Sequence, residues 1–430
     1  MIIRRLRRLP AGSRMAAAVL AVAIAGGALT APQAAAAGPV EGAPIAKAEI
    51  TDALRSAYEY GKRSGELRAE HPSAAAPPEN CLEVNYVARH RVQYRYAGSD
   101  RYETAVCTSY STWADHDATH GPKANAVVLA RGDLYADALA GGPLAGYENA
   151  PLLLNPPQSL LPAVRTEIQR VLAPGGTVYL LGSTGALSAS VDSALTSAGF
   201  VTKRLAGSDR FRTAIRVAEE MATTNRFFVA TGTDFADALP AGAFAATYNL
   251  GITQDDDPAT TMPIALLFTD HDVMPASTKD FITTRWFEHG RTTLYAAGAP
   301  ANTAAFRAFG GDSLYSFVGE DRFDTAAEVA EYLYTDVDNR LVAPGVGLAN
   351  GMNFPDALAG TTVLMRSAHP LLLTPPTTLA YATNSFLRRH RDDHHDPESG
   401  QQMGHLSVFG GTPAVSADVV REAVSVYLGG

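Results

Sequence analysis

The sequence predicts an α/β protein, made of three tandem copies of one domain with a parallel sheet behind an N-terminal helical segment. Three observations carry this. An octapeptide occurs as Gly98-Ser99-Asp100-Arg101-Tyr102-Glu103-Thr104-Ala105, as Gly207-Ser208-Asp209-Arg210-Phe211-Arg212-Thr213-Ala214 and as Gly319-Glu320-Asp321-Arg322-Phe323-Asp324-Thr325-Ala326. The copies start 109 and 112 residues apart, too long a period for a solenoid repeat and suited to a small domain. Between them, short runs that are apolar on both faces alternate with helical patterns, the signature of a parallel sheet covered by helices on both sides.

Taken in order, residues 1–37 read as a secretory signal: Arg4, Arg5, Arg7, Arg8 and Arg14, then an apolar run from Met15 to Thr30, then small residues at Ala34 to Ala37. Residues 38–90 hold an amphipathic helix from Pro44 to Glu70, marked by Ile50, Leu54 and Tyr58 at a spacing of four, and a Pro/Ala linker from His71 to Pro78. Repeat one covers 91–200, repeat two 201–313 and repeat three 314–430.

Within repeat one, strands are expected at Val92–Ala97, Ala126–Ala130, Pro151–Leu154 and Thr177–Leu181, each leading through a loop into a helix. The second loop, with Asp137 before Ala138-Leu139, returns around Asp237 and Asp356. The third strand, with Leu152, returns at Leu266 and Leu371. Two insertions interrupt the pattern, around Asp255-Asp256-Asp257 in repeat two and between Arg388 and His405 in repeat three. Insertions in otherwise matching units belong on surface loops.

The 430 residues are 46% hydrophobic and 18% charged, a globular composition. Removing the five arginines of the leader leaves 30 basic against 44 acidic residues, a formal charge of −14. Such a body does not bind nucleic acid or an anionic membrane indiscriminately, and no second long apolar stretch follows the leader. A local anion site remains compatible with it, because distant carboxylates are screened over about 8 Å. In an exported chain, Cys81 and Cys107 read as one disulfide.

The repeated loops all follow a strand and precede a helix. That places them at the carboxyl ends of the strands, where open α/β sheets bind ligands and where helix N-termini offer free N–H groups. Arg101, Arg210 and Arg322 suit carboxylate or phosphate groups there; the alternative is that they bridge one repeat to the next. Asp100, Asp209 and Asp321 are N-cap residues by position, and Asp137, Asp237 and Asp356 stand where they also would cap a helix. No nucleophile elbow, phosphate loop or zinc-protease motif is present, so no catalytic residue and no cofactor is expected. His390, His394, His395 and His405, with Asp392, Asp393 and Asp396, read as a solvated loop rather than a metal site, and Asp255 to Asp257 lack the alternating spacing of a calcium loop.

These motifs resemble the type 2 cell wall binding repeat of Gram-positive bacteria over Arg91 to Gly430: a Gly-x-Asp-Arg-aromatic-x-Thr-Ala opening, an aspartate in a Phe-x-Asp-Ala-Leu-like loop and a Pro-Leu-Leu-Leu strand. The resemblance implies three Rossmann- or flavodoxin-like domains in a pseudo-threefold arrangement. It implies a secreted, wall-associated protein held non-covalently to an anionic secondary cell wall polymer. It also implies ligand contacts near Arg101, Arg210 and Arg322, near the aspartates of both loops, and near the strands of Leu152, Leu266 and Leu371. Tyr135, Ala265 and Glu320 depart from the pattern. Two rival readings are an enzyme acting on wall glycan or peptide, and an adaptor whose helix in residues 44–70 recruits another exported protein.

Overall fold

The computed structural model describes residues 45–430 except 71–76, 80, 89, 222–223, 255–261, 291, 394–402 and 430, with the backbone alone for 64–70. The described residues fall in one compact unit, Pro39–Gly430. The leader, most of the linker, Asp255 to Asp257, His394, His395 and Asp396 lie outside the described residues.

The chain opens with α1 (Lys47–Glu70) and β1 (Leu82–Ala88). Then come β2 (Arg91–Tyr96), α2 (Arg101–Thr112), β3 (Ala126–Arg131), α3 (Gly141–Tyr147), β4 (Leu152–Asn155), α4 (Pro162–Val171), β5 (Thr177–Leu181) and α5 (Ala189–Ser197). The second round is β6 (Val201–Leu205), α6 (Arg210–Glu220), β7 (Arg226–Thr231), α7 (Ala238–Thr253), β8 (Ile264–Thr269), α8 (Ala276–His289), β9 (Thr293–Ala297) and α9 (Ala299–Phe309). The third is β10 (Leu314–Phe317), α10 (Arg322–Leu333), β11 (Gly345–Asn350), α11 (Pro355–Ser367), β12 (Leu371–Thr374), α12 (Tyr381–Arg389), β13 (Gly404–Phe409) and α13 (Ala417–Tyr427).

Three sheets result, ordered β4-β3-β5-β6, β8-β7-β9-β10 and β12-β11-β13-β2-β1. All pairings are parallel except β1 with β2. The register is shared: Leu152 pairs with Val128, Leu266 with Phe228 and Leu371 with Gly347, the third residue of each central strand. The central strands are apolar on both faces because helices bury both, so Val127, Phe227 and Val346 are all fully buried.

The strand that opens each sequence repeat completes the sheet of the repeat before it. β6 joins repeat one, β10 joins repeat two, and β2 joins repeat three, closing the circle. The octapeptide that follows each of these strands therefore carries the chain from one sheet to the next. β1 was not expected from the sequence; Leu82-Glu83-Val84-Asn85-Tyr86 alternates apolar and polar residues as a strand does, but all five are exposed, so both faces of this edge strand meet water. The Cys81–Cys107 disulfide forms as expected, tying the start of this hairpin to α2.

The helices α3, α7 and α11 pack against one another at the centre of the ring. A Cβ on Gly146 would collide with the Ala246 carbonyl, so α3 and α7 meet backbone to backbone. α1 lies across the C-terminal ends of α7 and α11, with Ile50, Leu54, Ala57 and Tyr58 buried. Gly251 and Gly61 allow this: a side chain at either would strike the carbonyl of Ala53 or Arg366. Glu49 fixes the entry of α1 by accepting from Arg226 at 2.5 Å and from Tyr248 at 2.8 Å. The apolar stripe that an adaptor helix would present to a partner is thus covered by the chain itself.

Candidate functional site

Each octapeptide makes the same turn. The N–H groups of Gly98, Gly207 and Gly319 donate to the hydroxyls of Thr104, Thr213 and Thr325 at 3.2, 3.2 and 3.3 Å. The loop thereby folds back on the first turn of its own helix, and a Cβ at any of these glycines would strike that backbone. The aspartates cap the helix as expected. Asp100 accepts from the N–H groups of Tyr102 and Glu103 at 2.8 and 2.9 Å, and Asp321 from those of Phe323 and Asp324 at 2.8 and 2.9 Å. Asp209 accepts from the N–H of Arg212 at 2.8 Å.

The arginine that follows begins the helix and reaches over the second loop. Arg101 donates to the Gly132 carbonyl at 2.7 Å and Arg322 to that of Gly351 at 3.0 Å; Arg210 donates in the same way to Gly232. The motif aromatics Tyr102, Phe211 and Phe323 lie over those same glycines.

Each guanidinium then meets a ring from another repeat. Arg101 stands 6.0 Å from the ring centre of Phe354, Arg210 is 5.8 Å from Tyr135, and Arg322 is 5.6 Å from Phe235. These three rings touch each other, with centroids 5.7 Å apart for Tyr135 and Phe235, 5.9 Å for Tyr135 and Phe354, and 6.0 Å for Phe235 and Phe354. The Tyr135 hydroxyl adds a bond to the Thr233 carbonyl at 2.8 Å. The three second loops therefore converge on one point, and three arginines surround it, one at each seam between repeats.

The arginines do bridge repeats, and they also remain part-exposed. Arg322 pairs with Asp234 at 3.2 Å. Among the described residues, Arg101 and Arg210 have no carboxylate at ion-pairing distance. Each is held between a carbonyl and an aromatic ring and keeps part of its surface in solvent, at the loop edge that forms the rim.

Asp137, Asp237 and Asp356 do not act as helix caps. Asp237 occupies the position before α7 but makes no capping bond, Asp356 lies inside the first turn of α11, and Asp137 sits in a turn four residues before α3. Each carboxylate instead packs against the glycine that ends the fourth strand of its own repeat: Gly182, Gly298 and Gly410, with φ of 87°, 86° and 92°. Burial pushes the Asp237 carboxyl up, helped by Asp234 and opposed by a hydrogen bond with Thr325 and by Arg322. Burial likewise pushes Asp356 up, opposed by a bond with Thr104 and by Arg101.

Leu152, Leu266 and Leu371 are buried in their strands, at 0%, 2% and 1% exposure, so they set the strand ends without offering a surface. The polar residues after them close the following turns. The Asn155 side chain donates to the carbonyls of Pro156 and Ser159 at 2.7 and 3.0 Å, and Thr374 donates to that of Thr378 at 2.8 Å. In the repeat-three insertion, His390 contacts Asp393 at 2.6 Å and Glu331 at 3.2 Å. Among the described residues no group of three or more histidine, cysteine or acidic side chains is arranged to hold a metal.

Sequence reasoning singled out the arginines but not the triad of Tyr135, Phe235 and Phe354. The available signal was an aromatic at the same place in all three second loops, two residues before the aspartate.

The family model described as cell wall binding domain 2 (CWB2) matches residues 95–192, 204–311 and 317–420. Among curated proteins, N-acetylmuramoyl-L-alanine amidase LytC of Bacillus subtilis (strain 168) is 27% identical over 335 residues, covering 78% of this chain and 58% of that protein. The amidase enhancer of the same strain is 24% identical over 294 residues, covering 68% of this chain and 36% of that protein. Among solved structures, Cwp8 from Clostridium difficile has a TM-score of 0.61 at 22% identity, covering 78% of this chain and 51% of that one. Cwp6 from the same organism has a TM-score of 0.60 at 19% identity, covering 80% and 51%. These two share the fold. The chain spans less than two thirds of the length of each of these four proteins.

Proposed function

Because this chain belongs to the cell wall binding domain 2 family, we propose that its rim attaches it non-covalently to an anionic secondary polymer of the bacterial cell wall. Cell wall binding is the property the family carries. The observation that supports an anionic ligand is the ring of Arg101, Arg210 and Arg322 around the aromatic triad, three part-exposed arginine stations of which, among the described residues, only Arg322 is paired with a carboxylate, Asp234. A charge-assisted hydrogen bond contributes about 1.5–3 kcal/mol, so one station would hold a flexible polymer weakly. Three stations on one rigid body raise the apparent affinity by roughly 10²–10⁴ without further contacts.

Attachment through the rim leaves the opposite face, covered by α1, directed away from the wall. The names of the curated relatives speak of an amidase and of its enhancer, and those activities are theirs. Here the same module serves as the anchor.

The test is sedimentation of the exported chain with purified walls, before and after chemical extraction of secondary polymer. Binding to intact walls and loss on extraction are expected, with weakening at high salt. Equal binding to extracted walls, or none to either, would overturn the anchor reading.

A further inference from the structure

A cleft of about 520 Å³ opens beside the rim in repeat one, between α2 and α4. Its third wall is the segment Pro77 to Glu79. That segment precedes the whole ring in sequence and is pinned there by the disulfide from Cys81 to Cys107 in α2. The N–H of Cys81 donates to the Pro78 carbonyl at 3.2 Å, and that of Ala97 to the Cys81 carbonyl at 3.1 Å, which completes the hinge of this wall.

The lining has a definite chemistry. Tyr110 presents an aromatic ring whose position is set by the Arg170 guanidinium, 4.9 Å from its centre. Arg170 is buried and already neutralised. Its Nε and Nη2 donate to Glu167 at 2.8 and 2.7 Å, and its Nη1 to Asp115 at 2.9 Å and to the Trp113 carbonyl at 2.8 Å. Glu79 and Glu103 also line the cleft. Glu103 accepts from the N–H and hydroxyl of Ser99 at 3.0 and 2.6 Å, and those bonds hold its carboxyl below the usual range, hence charged. The lining therefore sets three carboxylates, Glu79, Glu103 and Glu167, against one arginine that Glu167 already pairs, so the cleft is acidic while the adjoining rim is cationic.

We propose that this cleft is a second, distinct subsite that takes an amine-bearing sugar unit: the ring stacked on Tyr110 and its ammonium set against Glu79 and Glu103. The size suits one to three sugar rings within the usual 300–1,000 Å³ range of ligand pockets. An aromatic floor with acidic walls attracts cations and repels carboxylates or phosphates. Ser99 and Gly98 line both the cleft and the first rim loop, so a chain lying on the rim passes its mouth. This last point rests on the anchor reading; the subsite itself does not.

The test is isothermal titration of the disulfide-bonded exported chain with three probes: a glucosamine trimer, an N-acetylglucosamine trimer and a galacturonic acid trimer. The glucosamine trimer is expected to bind at least tenfold more tightly than the uronate. Thr166→Trp, on the exposed face of α4 at the cleft, should reduce that binding at least tenfold with an unchanged melting temperature, and Glu103→Gln should narrow the preference over the neutral trimer. Binding that ignores Thr166→Trp, equal binding of uronate, or no binding of any trimer would overturn the subsite. Wall sedimentation is read separately: loss of wall binding with retained, Thr166-sensitive trimer binding would sink the anchor reading and leave the cleft standing.

Discussion

The guanidinium of Arg101, in the first repeat, lies 6.0 Å from the ring centre of Phe354, in the last. The two ends of the ring are therefore joined at the same kind of contact that joins its interior seams, Arg210 with Tyr135 and Arg322 with Phe235. One side chain both closes the ring and keeps a part-exposed charge beside the converging loops, so a structural and a binding role meet in it.

Replacing the motif arginines separates these roles. Arg101→Lys keeps the charge but loses the planar fork that reaches the Gly132 carbonyl and the ring, and should lower stability by about 0.5–2 kcal/mol in urea titrations with little loss of wall binding. The triple change of Arg101, Arg210 and Arg322 to Gln should abolish wall sedimentation while circular dichroism still reports a folded chain. Undiminished sedimentation of a folded triple variant would leave the arginines with the bridging role alone.

The aromatic triad should behave as a single core. Phe354 is 6% exposed, and Phe354→Ala should destabilise by about 3 kcal/mol or more. Tyr135→Phe keeps the ring and loses the bond to the Thr233 carbonyl, for about 1 kcal/mol. If Phe354→Ala shifts the urea midpoint no further than Tyr135→Phe, the convergence of the loops contributes little.

Gly298 and Asp237 should be energetically coupled. Gly298→Ala imposes a side chain at φ 86° and drives its Cβ into the Asp237 carboxylate. A loss above about 1 kcal/mol is expected from the backbone conformation alone. In Asp237→Ala the carboxylate is gone, so Gly298→Ala should cost less there than in the parent chain. Strict additivity in the double-mutant cycle would contradict the contact.

Stability should fall in acid, for a reason located in repeat three. Burial pushes His369 well down, with His405 adding to it, and burial pushes His405 down to about 4. A histidine held neutral when folded binds its proton more readily when unfolded. Its contribution is therefore present above the ordinary 6.5 and is lost as pH falls from there towards 4. His390 has the opposite sign. Burial lowers it, but its bonds to Asp393 and Glu331 more than offset this, so its contribution is full below 6.5 and fades as pH rises through its raised value. Thermal melts from pH 8 to 4 should show a falling limb below 6.5 that is shallower in His369→Leu. A limb unchanged in that variant would place the acid sensitivity elsewhere.

The sequence by itself determined the number of repeats, the alternation of strand and helix, and the loops that carry the motifs. Each of these is a local pattern written three times: strands apolar on both faces, an aspartate at a helix start, a glycine where a loop folds back on Thr104, Thr213 or Thr325. The disulfide was legible because only two cysteines exist. What the tertiary structure decided is how the copies share their parts. β2 completes the sheet of the last repeat, and a pairing between residues so far apart leaves no trace in local periodicity. Asp137, Asp237 and Asp356 looked like caps because helices follow them, yet their carboxylates turn to glycines at the ends of other strands. The meeting of Tyr135, Phe235 and Phe354 depends on three loops arriving at one point. Local propensity acts over a few residues, whereas that convergence is set by how α3, α7 and α11 pack at the centre of the ring.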